Sequence, residues 1–214
     1  MENKYTEDNI RALEGGEHVR MRPRLYFEKC FQENSLDILP FEVLCHAFDE
    51  YFDSICAVIE ITVSKNSFSV YYNAGMSLEL TKFEAITKAE MIMTRIAACS
   101  NQKKHLSVGE EFCHLGMAII NCASSKCKLT TVSEQQKAIF SFEDGKVNSR
   151  EITLIESTNS WTQIYLEPNK EIFENLSFTY EGIMKKVNEL KERLPGLVFN
   201  VIKGTSKNSF CNEK

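Results

Sequence analysis

The pattern of apolar and polar positions along the chain predicts a mixture of helices and strands. Apolar residues recur at helical spacing in 39–55, 80–99 and 180–194, and the apolar segment 115–123 has the length of a buried helix. Runs rich in β-branched and aromatic residues predict strands at 57–64, 67–72, 128–132, 138–142, 151–155, 162–166 and 197–202. Most of the predicted strands therefore follow residue 123.

Turn signals between these segments indicate how they are joined. Lys65-Asn66 and Asp144-Gly145 fit as turns between successive strands, and Pro195-Gly196 ends the last helix. Strands joined by short turns favour antiparallel pairing, with the helices segregated on one side. We therefore expect an α+β fold, a two-layer sandwich in which a mixed, mainly antiparallel sheet carries helices on one face.

Length and composition fit one folded domain with short ends. The 214 residues can share a single hydrophobic core, and no repeat or low-complexity linker divides them. We assign residues 1–20 to an N-terminal arm, 21–203 to the domain and 204–214 to a polar tail without ordered structure. The polar stretch 100–111 is expected to be a loop or a lid.

Charge, hydropathy and cysteines narrow the classes of function. The net charge of −5 argues against direct DNA binding, which usually needs a basic excess. No apolar run approaches the ~20 residues that span a bilayer, so we expect no membrane association. Residues 1–11 are too polar for a signal peptide, and the eight cysteines form no CxxC pair. We therefore expect free thiols in a cytoplasmic protein.

One predicted helix carries most of the residues with chemical potential. Glu42, His46, Asp49 and Asp53 recur at intervals of three or four residues and so share one polar face. A carboxylate with a second ligand one turn away can activate a water or hold a divalent ion. The same spacing also suits a face that is only hydrated, and the helix alone leaves both interpretations open.

The N-terminal segment resembles a known family. The sequence YTEDNIRALEG at 5–15, followed by EHVRMRP at 17–23, is similar to the opening of the B subunits of DNA gyrase and topoisomerase IV. The similarity continues in register to about residue 202. It implies the ATP-binding domain of that family, the GHKL or Bergerat fold, with ATP and Mg²⁺ as cofactors. It also implies an arm, led by Tyr5, that embraces a partner subunit, with Tyr5 at the nucleotide.

The resemblance assigns the family's E-x-x-D-N helix motif to residues 42–46. In the family the glutamate is the general base and the asparagine holds magnesium. Glu42 keeps the base position, whereas Cys45 replaces the aspartate and His46 replaces the asparagine. Magnesium prefers oxygen ligands in near-octahedral geometry, so imidazole is a poor replacement. We expect no bound metal ion, with a transition metal between Glu42 and His46 as the alternative.

The family's adenine motif, D-N-G-R-G-I-P, falls on residues 70–77. With a one-residue deletion, Tyr72 takes the place of the aspartate that accepts the adenine amino group, Asn73 follows it, and Gly75 takes the place of the second glycine. Without the gap, Tyr71 stands at the aspartate position. The acid is lost in both alignments, and tyrosine is bulky enough to fill the adenine pocket. The missing hydrogen bond would cost about 1.5–3 kcal/mol of binding free energy.

The family's glycine-rich phosphate loop, G-L-H-G-V-G, corresponds to residues 111–116. Gly116 alone of the three glycines remains, and Asn121 keeps its place in the following helix. Glu110 and Glu111 put negative charge near a triphosphate, which has the wrong sign. The upstream lysines, Lys103 and Lys104, partly offset it.

The last family motif, G-T-x-V-x-F-x-P, matches residues 161–168. Thr162 is retained, and its family counterpart helps to hold the adenine aspartate and a water. As a threonine within a predicted strand it also fits a purely structural role. Trp161, the only tryptophan, replaces the glycine.

Three hypotheses follow from these changes. The first is a pseudo-ATPase that binds ATP weakly or not at all and acts by association, as a homodimer through the arm or with a type II topoisomerase subunit. The second is a working ATP-binding domain or slow Mg²⁺-dependent ATPase with Glu42 as its base. The third is a small-ligand or metal module using His46, His114 and Cys113. The chain contains no transducer or DNA-gate region, so we expect no topoisomerase activity from it alone.

Overall fold

Seven strands form one sheet in the computed structural model, which describes residues 13–82, 84–99 and 102–204. Tyr5 and the rest of segment 1–12 lie outside the described residues, as does the predicted tail beyond Gly204. The strands are β1 (Val58–Ser64), β2 (Ser67–Tyr72), β3 (Ser124–Ser133), β4 (Gln136–Glu143), β5 (Lys146–Leu154), β6 (Trp161–Pro168) and β7 (Val198–Lys203).

The sheet is mixed and mainly antiparallel. Its strands lie in the order β5-β4-β3-β6-β2-β1-β7, and only the edge pair β1 and β7 runs parallel. The predicted α+β class is therefore confirmed. All seven predicted strands are present, although β3 begins at Ser124 and β5 at Lys146, earlier than predicted.

The register of the strands puts alternate residues on one buried face. Ile61 pairs with Val70, and Val70 pairs with Ile164. Ile164 in turn pairs with Leu129, and Leu129 with Phe140. All five side chains are fully buried. Residues that are paired across neighbouring strands point to the same face of the sheet. These five side chains therefore form one row of the core beneath the helices.

The helices provide the second layer of the fold. They are α1 (Gly15–Met21), α2 (Pro23–Tyr26), α3 (Glu28–Glu33), α4 (Leu39–Glu42), α5 (Cys45–Phe52), α6 (Lys88–Thr94), α7 (Met117–Cys122), α8 (Lys170–Phe173) and α9 (Tyr180–Arg193), with a 3₁₀ helix at Lys104–Val108. The predicted helix 180–194 is confirmed by α9, whose N-cap Thr179 accepts a hydrogen bond from the Gly182 amide. None of the helices in the described ranges combines the length and apolarity needed to cross a membrane.

The predicted single helix over 39–55 is wrong, because the chain divides into α4 and α5. At the division, the amides of Phe41 and Leu44 bond carbonyls three residues earlier, those of Ile38 and Phe41. Bonds of this 3₁₀ type tighten the chain and change the direction of the following turn. Glu42 is the last residue of α4. Its side chain therefore does not belong to the polar face that was predicted for one continuous helix.

The predicted helix over 80–99 is also wrong, since only α6 is helical. Leu80 forms an antiparallel bridge with Thr87, and the Thr81 amide bonds the Ile86 carbonyl at 2.7 Å. The side chain of Thr87 then accepts the Glu90 amide at 3.1 Å and caps α6. The Thr-x-x-Glu spacing of Thr87 and Glu90 is a helix-start signal that the hydrophobic periodicity concealed.

Part of the segment assigned to the arm is folded against the domain. Residues from Gly15 onward form α1, and Val19 is fully buried. Helix α1 packs against α7, the helix that follows the loop ending at Gly116. Any arm that reaches another chain therefore has to come from the residues preceding Leu13, which lie outside the described ranges.

Candidate functional site

Glu42 is buried and holds the loop at 113–116. Only 1% of its surface is exposed. One carboxylate oxygen, Oε2, accepts the backbone N–H groups of His114 and Leu115, each at 2.9 Å. The other, Oε1, lies 3.0 Å from Nδ1 of the His114 ring. Both oxygens of the predicted general base are therefore engaged by this loop.

The electrostatics of this contact favour the charged pair. The hydrogen bond from His114 to Glu42 raises the pKa of the imidazole, and partial burial lowers it by less. A protonated His114 facing an ionised Glu42 is a charge-assisted hydrogen bond, the strong kind. The arrangement is an anion cradle, made of two backbone amides and a ring, that the chain's own carboxylate already fills.

A second contact holds the start of the same loop region. Asp49, in α5, accepts the His105 amide at 2.7 Å and lies 2.9 Å from Nδ1 of the His105 ring. Both residues are buried. Burial lowers the pKa of His105, but the hydrogen bond to Asp49 and the nearby Cys45 and Asp49 together raise it by more, so the net shift is upward. Asp49 thus fastens the 3₁₀ helix to α5.

A third contact comes from the end of α9. Arg193 donates to the carbonyl of Val108 at 2.6 Å and pairs with Glu111. Its guanidinium also lies 5.0 Å from the centroid of the Phe112 ring. The region predicted as a loop or lid is therefore held by α5 and α9, and the residues that follow it, His114 and Leu115, are held by α4.

His46 and Tyr72 pack together with unpaired polar atoms. Their rings lie 5.7 Å apart, and the His46 side chain is 14% exposed. Neither Nδ1 of His46 nor the hydroxyl of Tyr72 has a hydrogen-bond partner among the described residues. Burial lowers the pKa of His46 to about 4 and raises that of Tyr72. His46, which was predicted to replace the magnesium-binding asparagine, is therefore a neutral imidazole at pH 7.

The side chains of Tyr71 and Tyr72 point to opposite faces of the sheet. Tyr72 is fully buried on the helix side, whereas Tyr71 is half-buried on the outer face, with its ring 5.9 Å from that of Trp161. Of the two residues predicted for the adenine aspartate position, Tyr72 therefore faces the helix layer and Tyr71 does not.

Asn73 and Gly75 serve the backbone around the predicted adenine segment. The side-chain oxygen of Asn73 accepts the amides of Ala57 and Val58 at 2.9 and 2.8 Å, where β1 begins. A Cβ added at Gly75 would clash with the carbonyl oxygen of Val132. In this chain the missing side chain at Gly75 therefore allows close approach to β3.

Thr162 belongs to a small buried hydrogen-bond network. Its hydroxyl donates to the Ala74 carbonyl at 2.8 Å and lies 2.9 Å from the hydroxyl of Thr131. The Thr131 hydroxyl in turn accepts the Met76 amide at 2.9 Å. This network joins the segment after β2 to β3 and β6. The sequence did not indicate the role of Thr131 in it.

Gly116 and Asn121 lie at and beyond the end of the loop. Gly116 precedes α7 with a φ of +79°, a conformation that other residues rarely adopt, and a Cβ there would meet nothing within 4 Å. Asn121 is fully buried and donates to the Met93 carbonyl at 2.9 Å, and its side-chain oxygen has no partner among the described residues. Asn121 therefore links α7 to α6.

The fold brings the predicted residues together in two groups. Glu42 meets the loop that ends at Gly116, and His46 meets Tyr72, whose sheet neighbour is Thr162. No set of three potential metal ligands occurs within the ranges that the structure describes. Two open clefts of about 590 and 650 Å³ lie elsewhere and are lined by none of the predicted site residues.

Two buried carboxylates were missed by the sequence reasoning. Glu90, 3% exposed, accepts two hydrogen bonds from Arg150 at 2.6 and 2.7 Å. Asp37, 5% exposed, accepts the amide and the hydroxyl of Thr179, each at 2.6 Å. Both pairs join distant parts of the chain, so only the cap signals at Thr87 and Thr179 could have marked their surroundings.

Acidification is predicted to destabilise the protein through His46. Its pKa falls from 6.5 to about 4 on folding, so its contribution is complete above about pH 6.5 and is lost as the pH falls towards 4. The loss should reach about 3 kcal/mol. Urea unfolding of the wild type and of His46→Asn between pH 4 and 7 measures it as a difference.

The His46→Asn variant should lose less stability on acidification than the wild type. His105 and His114 have the opposite sign, because their raised pKa values make stability fall as the pH rises through the folded pKa. Both are present in the variant and cancel in the comparison. Parallel pH profiles of the two proteins would show that His46 is not the group responsible.

Comparison with known proteins finds B subunits of DNA gyrase. That of Rickettsia felis is 28% identical over 193 residues, covering 88% of this chain and 24% of the relative. That of Clostridium acetobutylicum is 26% identical over 191 residues, covering 87% of this chain and 30% of the relative. The chain thus spans less than a third of the length of these relatives. No family model matches the sequence.

A solved structure shows the same fold. The 43K ATPase domain of Thermus thermophilus gyrase B, in complex with an aminocoumarin, matches with a TM-score of 0.69 and 23% identity. The match covers 88% of this chain and 49% of that one. The chain therefore has the GHKL, or Bergerat, fold of the gyrase B ATPase domain, and its sequence is similar to that of gyrase B subunits.

Proposed function

We propose that this chain is a gyrase B-like domain that binds ATP weakly or not at all, a pseudo-ATPase that acts by associating with other protein chains. The observation that carries the proposal is the engagement of Glu42. Its buried carboxylate accepts the loop amides of His114 and Leu115 at 2.9 Å. Amides of this kind are what a phosphate group needs at a glycine-rich loop.

Because the loop amides already bind Glu42, both phosphate binding and general-base catalysis are disfavoured. A phosphate that binds the two amides has to displace a buried charged acceptor, and hydrogen bonds to charged groups are worth about 1.5–3 kcal/mol each. A general base has to reach the attacking water with a free carboxylate oxygen. Glu42 has one oxygen on the amides and the other on His114. The residue therefore has a structural role in the described conformation.

The end of the site that was predicted to bind adenine supports the same proposal. Tyr72 is fully buried and occupies the aspartate position with a phenol, whose hydroxyl is unpaired among the described residues. Thr162 donates its hydroxyl to the Ala74 carbonyl. The acidic acceptor that would read an adenine amino group is therefore missing from this face of β2.

Two of the charges near the loop are paired within the chain. Lys104 pairs with Asp53, and Glu111 pairs with Arg193. A triphosphate would have to compete with Asp53 for Lys104, one of the two lysines predicted to offset the negative charge of the loop. Surface pairs of this kind are weak, so the effect adds to the cost at Glu42 without dominating it.

Association is the remaining role that we propose for the scaffold. The relatives are gyrase B subunits, and the arm resembles the segment that embraces a partner subunit in that family. We propose either a homodimer through the arm or a complex with a type II topoisomerase subunit, in the cytoplasm. Seven cysteines are free thiols in the described part, which suits a reducing compartment.

Sedimentation velocity of the full chain tests the association. We expect a dimer, or a complex when a type II topoisomerase B subunit is added, and loss of either species when residues 1–12 are removed. The truncated chain keeps α1 and its buried Val19, so its fold serves as the control. A full chain that sediments as a monomer with and without that subunit would contradict the association.

The second candidate function is a slow Mg²⁺-dependent ATPase with Glu42 as general base. The contact of Glu42 with the loop that ends at Gly116, and the pairing of Tyr72 with Thr162, favour it, because Glu42, Gly116 and Thr162 match the family's motifs. For this function the loop has to leave Glu42 when nucleotide enters. Turnover that disappears in Glu42→Gln while affinity stays unchanged would support this candidate.

Calorimetric titration with a non-hydrolysable ATP analogue and Mg²⁺ decides between the two functions. We expect no binding tighter than about 1 mM, equivalent to about −4 kcal/mol. Thermal unfolding at 1 mM nucleotide should then be unchanged, whereas micromolar binding would add about 4 kcal/mol of stability. Thr162→Val is the control, since it should abolish any binding that uses the family pocket. Micromolar binding lost in that variant would overturn the proposal.

A further inference from the structure

Strands β5 and β7 are the two edges of the sheet, and they differ in how they are protected. Among the described residues, neither strand has a hydrogen-bonded neighbour on its open side. Open edges invite pairing with another chain, and proteins usually block them with charged residues or bulges. Strand β5 carries Lys146, Arg150 and Glu151, and its pairing with β4 skips Asn148. This edge is therefore blocked by both charge and irregular register.

Strand β7 lacks these protections. Residues 198–202 contain no charged side chain and no proline, and the register of β7 with β1 runs without a shift. Two of its side chains, Val198 and Ile202, are 51% and 44% exposed on the face of the sheet opposite to the helices. The β7 edge is therefore open to pairing, and it exposes apolar side chains that a second strand could cover.

The backbone groups on the open side of β7 belong to Phe199, Val201 and Lys203. The amides of Val198 and Gly204 donate to carbonyl oxygens on the β1 side, at 2.9 and 2.7 Å. Successive residues of a strand direct their N–H and C=O groups to opposite sides. The three residues that alternate with Val198 and Gly204 therefore present their N–H and C=O groups to the open side.

The sequence of β7 fits an antiparallel copy of itself. With a two-fold axis at Asn200, Phe199 of each chain lies opposite Val201 of the other, and each such pair exchanges two hydrogen bonds through the groups on the open side. Val198 of each chain then lies opposite Ile202 of the other, so the exposed apolar side chains cover each other. Asn200 faces its own copy, where two side-chain amides can bond each other. An axis at Val201 would instead put Ile202 opposite Asn200, so the axis at Asn200 is favoured.

We propose that β7 is a self-pairing edge, through which two copies of this chain join their sheets by antiparallel pairing about Asn200. The contact is isologous, because the same strand serves both chains. It is separate from residues 1–12, the arm of the proposed function, and it goes beyond that function. Where both contacts operate, dimers formed through the arm join into larger assemblies through β7.

The β7 contact is weak because it is small. Residues 198–202 of each strand meet, so the buried area should lie below about 1,200 Å², the range of transient interfaces. We therefore expect a dissociation constant of about 0.1–1 mM. At micromolar concentrations the β7 contact is unoccupied, so the association through the arm can be measured without it.

Amide hydrogen exchange of the full chain, measured at about 10 µM and again at about 1 mM, tests the pairing. We expect exchange of the Phe199 and Val201 amides to slow about two- to fivefold at the higher concentration, because these amides become bonded in the pair. The Val198 amide already bonds on the β1 side, so its exchange should not change, and it serves as the internal control. Exchange rates of Phe199 and Val201 that do not depend on concentration would overturn the proposal.

Ile202→Lys tests the contact through a side chain. The change puts a charge opposite Val198 of the second copy, so the decrease in translational diffusion that the wild type shows on concentration should be lost. Ile152→Lys is the matched control, since Ile152 is 46% exposed on the other edge strand, β5, and it should behave as the wild type does. Association of Ile202→Lys equal to that of the wild type would overturn the proposal. A failure of the arm is distinguishable, because it removes the species formed at micromolar concentration and leaves the β7 exchange dependent on concentration.

Discussion

Replacing Glu42 with alanine is expected to lower the free energy of unfolding by about 3 kcal/mol. The change removes the acceptor of two buried backbone N–H groups, and an unsatisfied buried donor costs about 1–3 kcal/mol. It also leaves His114 without its charged partner. Urea unfolding at pH 7 measures the loss. A residue kept only as a general base would not show it, because catalytic groups contribute little to holding the fold.

Two further variants separate the contacts of Glu42 from its charge. Glu42→Gln keeps an oxygen that can accept the amides, so it should lose less stability than Glu42→Ala. Asp53→Ala removes a carboxylate whose partner, Lys104, is at the surface, and it should cost less than about 1 kcal/mol. If Glu42→Ala is as stable as Asp53→Ala, Glu42 does not hold the loop.

Replacing Gly75 with alanine is expected to cost about 4 kcal/mol of stability or more. The new methyl group would clash with the backbone carbonyl of Val132 and come within 3.0 Å of Ser133 and 3.1 Å of Ser160. Neither β3 nor β6 can move aside without breaking the sheet, so the overpacking cost should exceed its usual range of about 1–3 kcal/mol. Thermal and urea unfolding of the purified variant measure the effect.

The matched control is Gly196→Ala at the end of α9. Gly196 has a φ of +88°, and a Cβ there would meet nothing within 4 Å. Its replacement should cost only the strain of a left-handed backbone, about 1–2 kcal/mol. Equal losses at the two positions would show that the close approach at Gly75 is relaxed in solution.

Local patterns were sufficient for most of the fold. Alternating residues in β1 and β2 gave both strands and the turn between them, and Pro195-Gly196 gave the end of α9. Helical periodicity failed where burial was nearly continuous, from Leu36 to Cys45, because a segment buried on all sides has no polar face to set its period.

The candidate site was predictable by residue identity but not by contact. The family motif marked Glu42, and the loop motif marked Gly116, yet nothing in either segment shows that Glu42 binds the loop. The contact joins residues 72 positions apart for His114, and the one from Asp49 to His105 spans 56. Pairings at such separations depend on the packing of α4 and α5, which the sequence predicted as one helix.

The same limit explains the polar face predicted for the 39–55 helix. Asp49 is buried and contacts the His105 ring, whereas Asp53 lies at the surface and pairs with Lys104. Their shared spacing suggested one hydrated or ligand-binding face, but each carboxylate is held by a different side chain of the 3₁₀ helix. Spacing therefore identified the groups and left their partners undetermined.

The amide resonances of His114 and Leu115 test the closed site most directly. Heteronuclear NMR spectra of the isotope-labelled protein would be recorded while a non-hydrolysable ATP analogue and Mg²⁺ are added to millimolar concentration. If Glu42 holds these amides against nucleotide, both resonances stay in place, and both move in Glu42→Gln without nucleotide. Saturable shifts of the two resonances in the wild type at micromolar nucleotide would show that phosphate displaces Glu42, and would contradict the account.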